Sequence, residues 1–480
     1  MAFYIPIEDI DDDVKNFIYS TCKIKKTMNQ YDEIPTTYSI FQFDKENERL
    51  IVPLSLWKSI YEDFPNEKKK KVKFDVNFEL FTSETDPSGR HRDQDVVYKE
   101  TLKHLYSNHF VFCNLFTGFG KTKMAVRISS KLGKKTIVFC HKDMIKKQWY
   151  EEYTTCTNAK VQYVKGNVKI DKSADVYIIG IQKCLKYTSD NFSDIGTVIV
   201  DESHLCTLAV YRALFLFSPE YLIGLSATPD RPDGLHKISE LFFGKKKNYI
   251  VRVEKKNFVV VKYNTNFEPD ISYRRYNGKL VLDWNLCINS IAYNEDRQNL
   301  IFSVIDKLYT KRIDEIINIH KLEQFTEKNI FNNSVSLKTL ILTKRKKECE
   351  SLYKRILDSN FVKSSKLKCS KLMGSTTKWD ENSDILVAIL DKCGVGFDWK
   401  GLNVLIMCTD IKDVRQASGR LRDRNTLLID FVDNYKTFQS HWRLREKVYK
   451  NKGAIIFEKG KIKTDISERK NNLPSRRFFS

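Results

Sequence analysis

The segment Leu115-Phe116-Thr117-Gly118-Phe119-Gly120-Lys121-Thr122 follows an apolar run from His109 and precedes a helix-prone stretch, Lys123 to Leu132, that stops at Gly133. A strand, a glycine-bearing turn and Lys-Thr opening a helix make a phosphate cradle. The glycines let backbone N–H groups close round the phosphates, and the helix N-terminus adds partial positive charge. In that arrangement Lys121 reaches the β- and γ-phosphates of ATP and the Thr122 hydroxyl ligates Mg²⁺. The general pattern has glycine five positions before Gly120, where this chain has Leu115. Taken alone, the loop also fits an ordinary tight turn between strand and helix. A second feature separates the two readings. The strand-like Thr197-Val198-Ile199-Val200 delivers Asp201-Glu202-Ser203-His204. A carboxylate at the end of a buried strand near a phosphate loop holds Mg²⁺, here Asp201, while the adjacent Glu202 orients and deprotonates an attacking water. A solvated acidic turn is the plainer fate of such residues, but loop and acidic strand end in this order point to nucleotide hydrolysis.

The elements that must position these groups follow an α/β grammar. Asp95 to Leu105 reads as a helix, Lys135 to Cys140 as a buried strand and Met144 to Tyr153 as a helix. Val176 to Ile181, Thr197 to Val200 and Tyr221 to Leu225 read as further strands. Short apolar strands joined by helical stretches imply a parallel sheet covered on both faces. The pattern restarts after about residue 290 with Thr339–Leu342, Ile385–Leu390, Val404–Cys408 and Leu427–Val432. Residues 1–86 form a small N-terminal α+β or β-rich unit, a candidate for nucleic-acid binding, bounded by the polar stretch Ser83 to Arg92. Residues 87–255 are a first lobe and 291–450 a second. Residues 256–290 are assigned to a linker whose Tyr276-Asn277-Gly278-Lys279 signals a hairpin. Residues 451–480 are assigned to a basic tail.

The chain of 480 residues carries 82 Lys+Arg against 61 Asp+Glu, a net charge of +21. That excess suggests a polyanionic partner, nucleic acid before anionic membrane, with a basic surface kept for solubility as the alternative. The run Lys68-Lys69-Lys70-Lys71-Val72-Lys73 touches phosphates, serves as a nuclear localisation signal or is a solvated loop. No apolar run is long enough to span a membrane and the N-terminus lacks a secretory pattern. Eleven scattered cysteines without zinc spacing are read as free thiols in a reducing compartment.

Thr117–Thr122, Asp201-Glu202-Ser203-His204 and Ser226-Ala227-Thr228-Pro229, continued by Asp230-Arg231-Pro232-Asp233-Gly234, fall in the order seen in superfamily 2 helicases. From Gln94 to Asp433 the chain resembles superfamily 2 DNA helicases of the excision-repair and branch-migration type. Within that type it is closest to the poxvirus transcript-release helicase and its iridovirus-like counterparts in large DNA viruses. The resemblance implies two tandem RecA-like lobes, with ATP and Mg²⁺ as cofactors and single-stranded or forked DNA, or RNA, as track. It implies adenine recognition by Gln94 and nucleic-acid contacts by Gln148 and Trp149, although core packing is an equal reading of Trp149. Gln182 stands where the family has Thr-x-Gln, without the threonine. Ser226 and Thr228 resemble a relay between the ATP and nucleic-acid sites. In the second lobe Thr343, Lys344 and Arg345 resemble a backbone-binding segment, and Gly396 and Asp398 a glycine motif near the ribose. In Gln416-Ala417-Ser418-Gly419-Arg420, Gln416 and Arg420 resemble the pair that meets the γ-phosphate. The family's second arginine falls at Asp423, leaving Arg422 or Arg424 as substitutes.

These implications make the chain an ATP-dependent helicase or translocase serving viral transcription, replication or recombination, with viral proteins of those processes as further partners. The rival enzyme is a nucleic-acid-stimulated ATPase that remodels complexes without unwinding; a non-enzymatic rival is a basic binding module with a degenerate ATP site. The resemblance also implies an intracellular location in the host cytoplasm, within a viral factory, or in the virion, with the nucleus as an alternative.

Overall fold

The computed structural model describes residues 2–27, 36–82, 93–166, 168–203, 208–229, 234–254, 258–276, 278–310, 312, 315–317, 337–376, 379–393, 397, 399–421 and 426–460. The chain folds as two compact units: Met1–Glu254 with Arg275–Val281, and Lys255–Arg274 with Leu282–Ser480.

The first unit is built on a seven-stranded sheet, ordered Ile250–Arg252, Phe110–Leu115, Tyr221–Ser226, Thr197–Asp201, Thr136–Cys140, Val176–Gly180, Val161–Val164. Every neighbouring pair is parallel. Thr136–Cys140 and Thr197–Asp201 are buried along their whole length. Helices over both faces exclude water from such strands, which explains why they read as continuous apolar runs without alternation. The register sets Asp201 beside Leu225 and Ser226 beside Asn114. The phosphate-loop strand, the Ser226 strand and the Asp201 strand therefore end together at the sheet's carboxyl edge, where parallel α/β sheets open a binding crevice.

The N-terminal segment adds an antiparallel sheet of Ala2–Pro6, Arg49–Pro53 and Gln42–Asp44. It shares its core with the first lobe: Phe3, Val52, Leu54 and Trp57 lie in one apolar cluster with Phe112, Phe139 and Phe217. The Trp57 indole donates to Asn108 O at 2.8 Å, and Ala2 N to Phe217 O at 3.0 Å.

The second unit repeats the plan with seven parallel strands: Cys369–Leu372, Ile385–Ile389, Thr339–Thr343, Val404–Met407, Thr426–Val432, Phe258–Asn264, Ala454–Lys459. Two of these correct the boundaries drawn from sequence. Phe258–Asn264, placed there in a linker, is an almost wholly buried strand, and its Phe-Val-Val-Val core explains why. Ala454–Lys459, assigned to the basic tail, pairs along it as the half-buried edge strand; lysine content masked the Ile455-Ile456-Phe457 run. Tyr273–Tyr276 and Lys279–Leu282 pair as a separate two-stranded ribbon, as the Asn-Gly signal implied, although Asn277 itself lies outside the described residues. No helix among the described residues is long and apolar enough to cross a membrane.

Candidate active site

The phosphate loop begins where the Phe110–Leu115 strand ends. Gly118 at φ +87° and Gly120 at φ +99° occupy left-handed backbone that residues with a Cβ rarely adopt, so the turn needs glycine at both places. Helix Lys121–Leu132 starts immediately after and ends at Gly133, φ +60°, whose N–H bonds Ser129 O and Ser130 O at 3.1 Å. Thr117, Gly118 and Thr122 are partly exposed, whereas the Phe119 ring is buried edge-on to Phe116 at 5.3 Å. Phe119 thus serves the loop through its backbone. The Lys121 ammonium donates to Leu115 O at 3.1 Å and Phe116 O at 3.4 Å, the carbonyls at the loop's entrance.

Gln94 is the first residue of helix Gln94–Asn108 and is buried. Its amide Nε2 donates to Phe119 O at 2.5 Å and its Oε1 accepts from Phe81 N at 3.1 Å, so both ends of the side chain grip protein backbone. A Cβ on Gly120 would stand 2.2 Å from Gln94 Nε2. Arg252, which no sequence signal marked, ties the same corner together. It pairs with Asp93 at 2.8 Å and Glu100 at 3.1 Å, and its carbonyl accepts Phe116 N at 3.2 Å.

Asp201 closes its strand almost fully buried. Its Oδ2 accepts the Trp149 indole N–H at 2.8 Å and its Oδ1 accepts Glu202 N at 2.9 Å. Burial and the neighbouring Glu202 push its pKa up to about 6, against the opposing pull of the Trp149 bond and the Lys121 charge. Glu202 itself holds a left-handed backbone, φ +48°, a strained conformation for a side-chain-bearing residue. Ser203 and Ser226 are buried; Ser203 Oγ donates to Leu225 O at 3.3 Å, and Ser226 Oγ accepts Thr228 N at 3.0 Å. A hydroxyl at Thr122 and a desolvated carboxylate at Asp201 are hard oxygen donors of the kind Mg²⁺ takes beside nucleotide phosphates, and the two glycines leave the backbone open for those phosphates. The residues fit Mg²⁺ and ATP.

Of the two readings of Trp149, contact with the nucleic-acid backbone and core packing, the structure favours packing: it is 1% exposed and spends its only polar atom on Asp201. Gln148, the preceding residue on helix Asp143–Cys156, and Gln182, on the short helix Ile181–Cys184, are exposed. In the second unit the expectation for Thr343 is corrected: it is buried and its hydroxyl donates to Ala388 O at 3.3 Å. Lys344 pairs with Asp391 at 3.0 Å, and an Arg345 NH2 group donates to Asn285 Oδ1 at 3.0 Å. Arg420 is mostly buried and donates to Phe397 O. The side chain of Gln416, together with His204, Asp230 to Asp233, Gly396, Asp398, Arg422 and Arg424, lies outside the described residues.

Residues 89–231 match the family described as "Type III restriction enzyme, res subunit". The chain is 30% identical over 481 residues to protein 161L of Invertebrate iridescent virus 6, which carries a helicase name, covering 95% of this chain and 99% of that one. It is 27% identical over 388 residues to protein 055L of Frog virus 3, also named as a helicase, covering 80% and 81%. Among solved structures, S. cerevisiae Dbp5 bound to RNA and ADP BeF3 aligns over 75% of this chain and 89% of that one, at 15% identity and a TM-score of 0.46. The chain belongs to the superfamily 2 helicases of large DNA viruses, helicase-type ATPases.

Proposed function

We propose that this helicase couples Mg²⁺-dependent ATP hydrolysis to movement along DNA. One observation carries the catalytic half of the reading: the glycine cradle and the buried Asp201 end strands of one parallel sheet with a single strand between them. Bound Mg·ATP supplies an electrophilic γ-phosphoryl group with its charge partly neutralised. The chain's own residues do the rest. Backbone N–H groups from Gly118 to Thr122 hold the phosphates, and Lys121 exchanges the Leu115 and Phe116 carbonyls for phosphate oxygens. Thr122 and Asp201 supply the metal's protein oxygens, and Glu202 takes a proton from the attacking water. Arg420 and Gln416 are the second unit's candidates for the γ-phosphate pair that the family resemblance assigns, a planar, always-charged group suiting that role. Exposed Gln148 and Gln182, with the partly exposed Lys344 and Arg345, are the candidates to touch the track.

DNA is taken as the track with RNA as the alternative, since related proteins of mimivirus and African swine fever virus carry RNA-helicase names; viral transcription, replication or recombination is the proposed setting, in the host cytoplasm or the virion. The test is ATP hydrolysis without nucleic acid and with single-stranded DNA, duplex DNA and RNA. Stimulation by DNA that disappears in Lys121→Ala and Glu202→Gln is the expected result. Equal turnover with every additive overturns the coupling, and stimulation by RNA alone overturns the choice of DNA. Strand displacement then separates unwinding from remodelling.

A further inference from the structure

The run Lys68-Lys69-Lys70-Lys71-Val72-Lys73, which the catalytic reading leaves unused, is bonded to the first lobe along much of its length. Lys69 N donates to Glu220 Oε1, and Lys69 O accepts the Lys134 ammonium at 2.6 Å. Lys134 and Glu220 form an ion pair of 2.6 Å with side chains 8% and 7% exposed. Lys71 bridges Lys134, Val72 N donates to Gly133 O at 3.0 Å, and Phe74 O accepts Ser130 Oγ at 2.7 Å. At Gly196 a Cβ would meet Lys134 Cβ at 2.8 Å and Lys69 Cβ at 3.2 Å, so glycine there permits the close approach. Lys69 is turned inward by this stitching. Lys68, Lys70, Lys71 and Lys73 are exposed, and none forms an ion pair among the described residues; Lys131, at the adjoining helix end, is also exposed.

The strap crosses the amino-terminal edge of the sheet. Lys134 precedes the Thr136–Cys140 strand, Gly196 precedes Thr197–Asp201, and Glu220 precedes Tyr221–Ser226. A five-residue strand spans about 16 Å, and that length separates this edge from the Asp201 end. The charge is fixed in place before any partner arrives, so little ordering entropy is lost on binding. Phe74, the run's nearest aromatic, is buried, which leaves phosphate contact without base stacking.

We propose that Lys68, Lys70, Lys71 and Lys73, with Lys131, form a second nucleic-acid surface that holds duplex phosphates away from the ATP site. The helicase reading enters only in naming the polyanion. The test is equilibrium binding of a labelled duplex and of one of its strands to the nucleotide-free full chain across a salt series. It compares wild type, Lys68→Ala/Lys70→Ala/Lys71→Ala/Lys73→Ala and a charge-matched control, Lys354→Ala/Lys363→Ala/Lys366→Ala/Lys368→Ala. The expected result is at least a tenfold loss of duplex affinity in the strap variant alone. Its log K against log salt slope should be shallower by about 3.6, for four lost phosphate contacts at roughly 0.9 each. Saturated single-strand-stimulated turnover and Tm should stay unchanged. An unaltered duplex slope or equal losses in the control overturns the surface. Wild-type turnover that no nucleic acid stimulates would instead defeat the helicase reading, a distinct outcome on the same samples.

Discussion

The Trp149 indole N–H meets Asp201 Oδ2 at 2.8 Å inside the first lobe, with Trp149 1% and Asp201 8% exposed. A buried carboxylate has few orientations that satisfy it, and this bond, with the Glu202 N–H on Oδ1, leaves one. Trp149 is a positioning residue for the acid that the proposed chemistry directs at Mg²⁺. A hydrogen bond to a charged group is worth about 1.5–3 kcal/mol. Trp149→Phe keeps an aromatic ring and deletes the donor, so kcat should fall by roughly tenfold. Mg²⁺-dependent binding of a fluorescent nucleotide should weaken alongside, while Mg²⁺-free binding holds. Unchanged Mg²⁺ dependence would reduce Trp149 to core filling.

Gly120 is constrained twice, by φ +99° and by Gln94 Nε2 at 2.2 Å from a would-be Cβ. Gly120→Ala should therefore abolish nucleotide binding and lower stability. Adding Gln94→Ala removes the collision but leaves the left-handed strain of about 1–2 kcal/mol. The double variant should recover part of the stability, read as denaturant midpoint, and little of the binding. Full recovery of binding would show that the collision alone mattered.

The parts of this fold legible in the sequence are those with a local signature. Continuous apolar strands, glycines at positive φ and an acidic pair after a strand each reflect chemistry within a few neighbours, and the two parallel sheets stand where those signals put them. What escaped depends on distant partners. Trp149 could be core or surface until Asp201, fifty-two residues away, supplied its acceptor. Thr343 follows the pattern of a polar strand end, yet its hydroxyl turns inward to Ala388. Arg252 and Glu220 gain their meaning only from Asp93 and Lys134. Phe258–Asn264 was hidden by topology, since its strand partners, Thr426–Val432 and Ala454–Lys459, come far later in the chain.

In the second unit Arg297, fully buried, bonds Asp433 through Nε at 2.7 Å and NH2 at 3.0 Å, and donates to Cys408 O at 2.8 Å. Removing one partner of a buried ion pair costs about 3–5 kcal/mol because the other charge stays behind. Arg297→Met should destabilise the second unit by that amount, read by hydrogen exchange, with protection in the first sheet unaffected. A loss under about 1 kcal/mol would mean that Asp433 finds water or a proton without penalty.

Glu348 is the second acid at that arginine, with Oε1 3.6 Å from Arg297 NH1 and Oε2 accepting Lys344 N at 3.2 Å. Burial pushes its pKa up from 4.5 to about 7, with Arg297 the main opposing influence and Asp433 adding to the rise. A carboxyl whose folded pKa is raised binds its proton in the folded state when the unfolded chain has lost it. Its stabilising contribution is complete below about pH 4.5 and disappears as pH rises towards 7. The full swing is about 3 kcal/mol at 1.36 kcal/mol per pH unit. Glu348→Gln keeps an acceptor for the Lys344 amide and does not titrate. Relative to wild type, the variant should therefore gain stability between pH 5 and 7 and hold that gain to pH 8. Paired denaturant titrations at those three values measure the difference, and a pH-independent offset would show that Glu348 stays ionised throughout, compensated by Arg297.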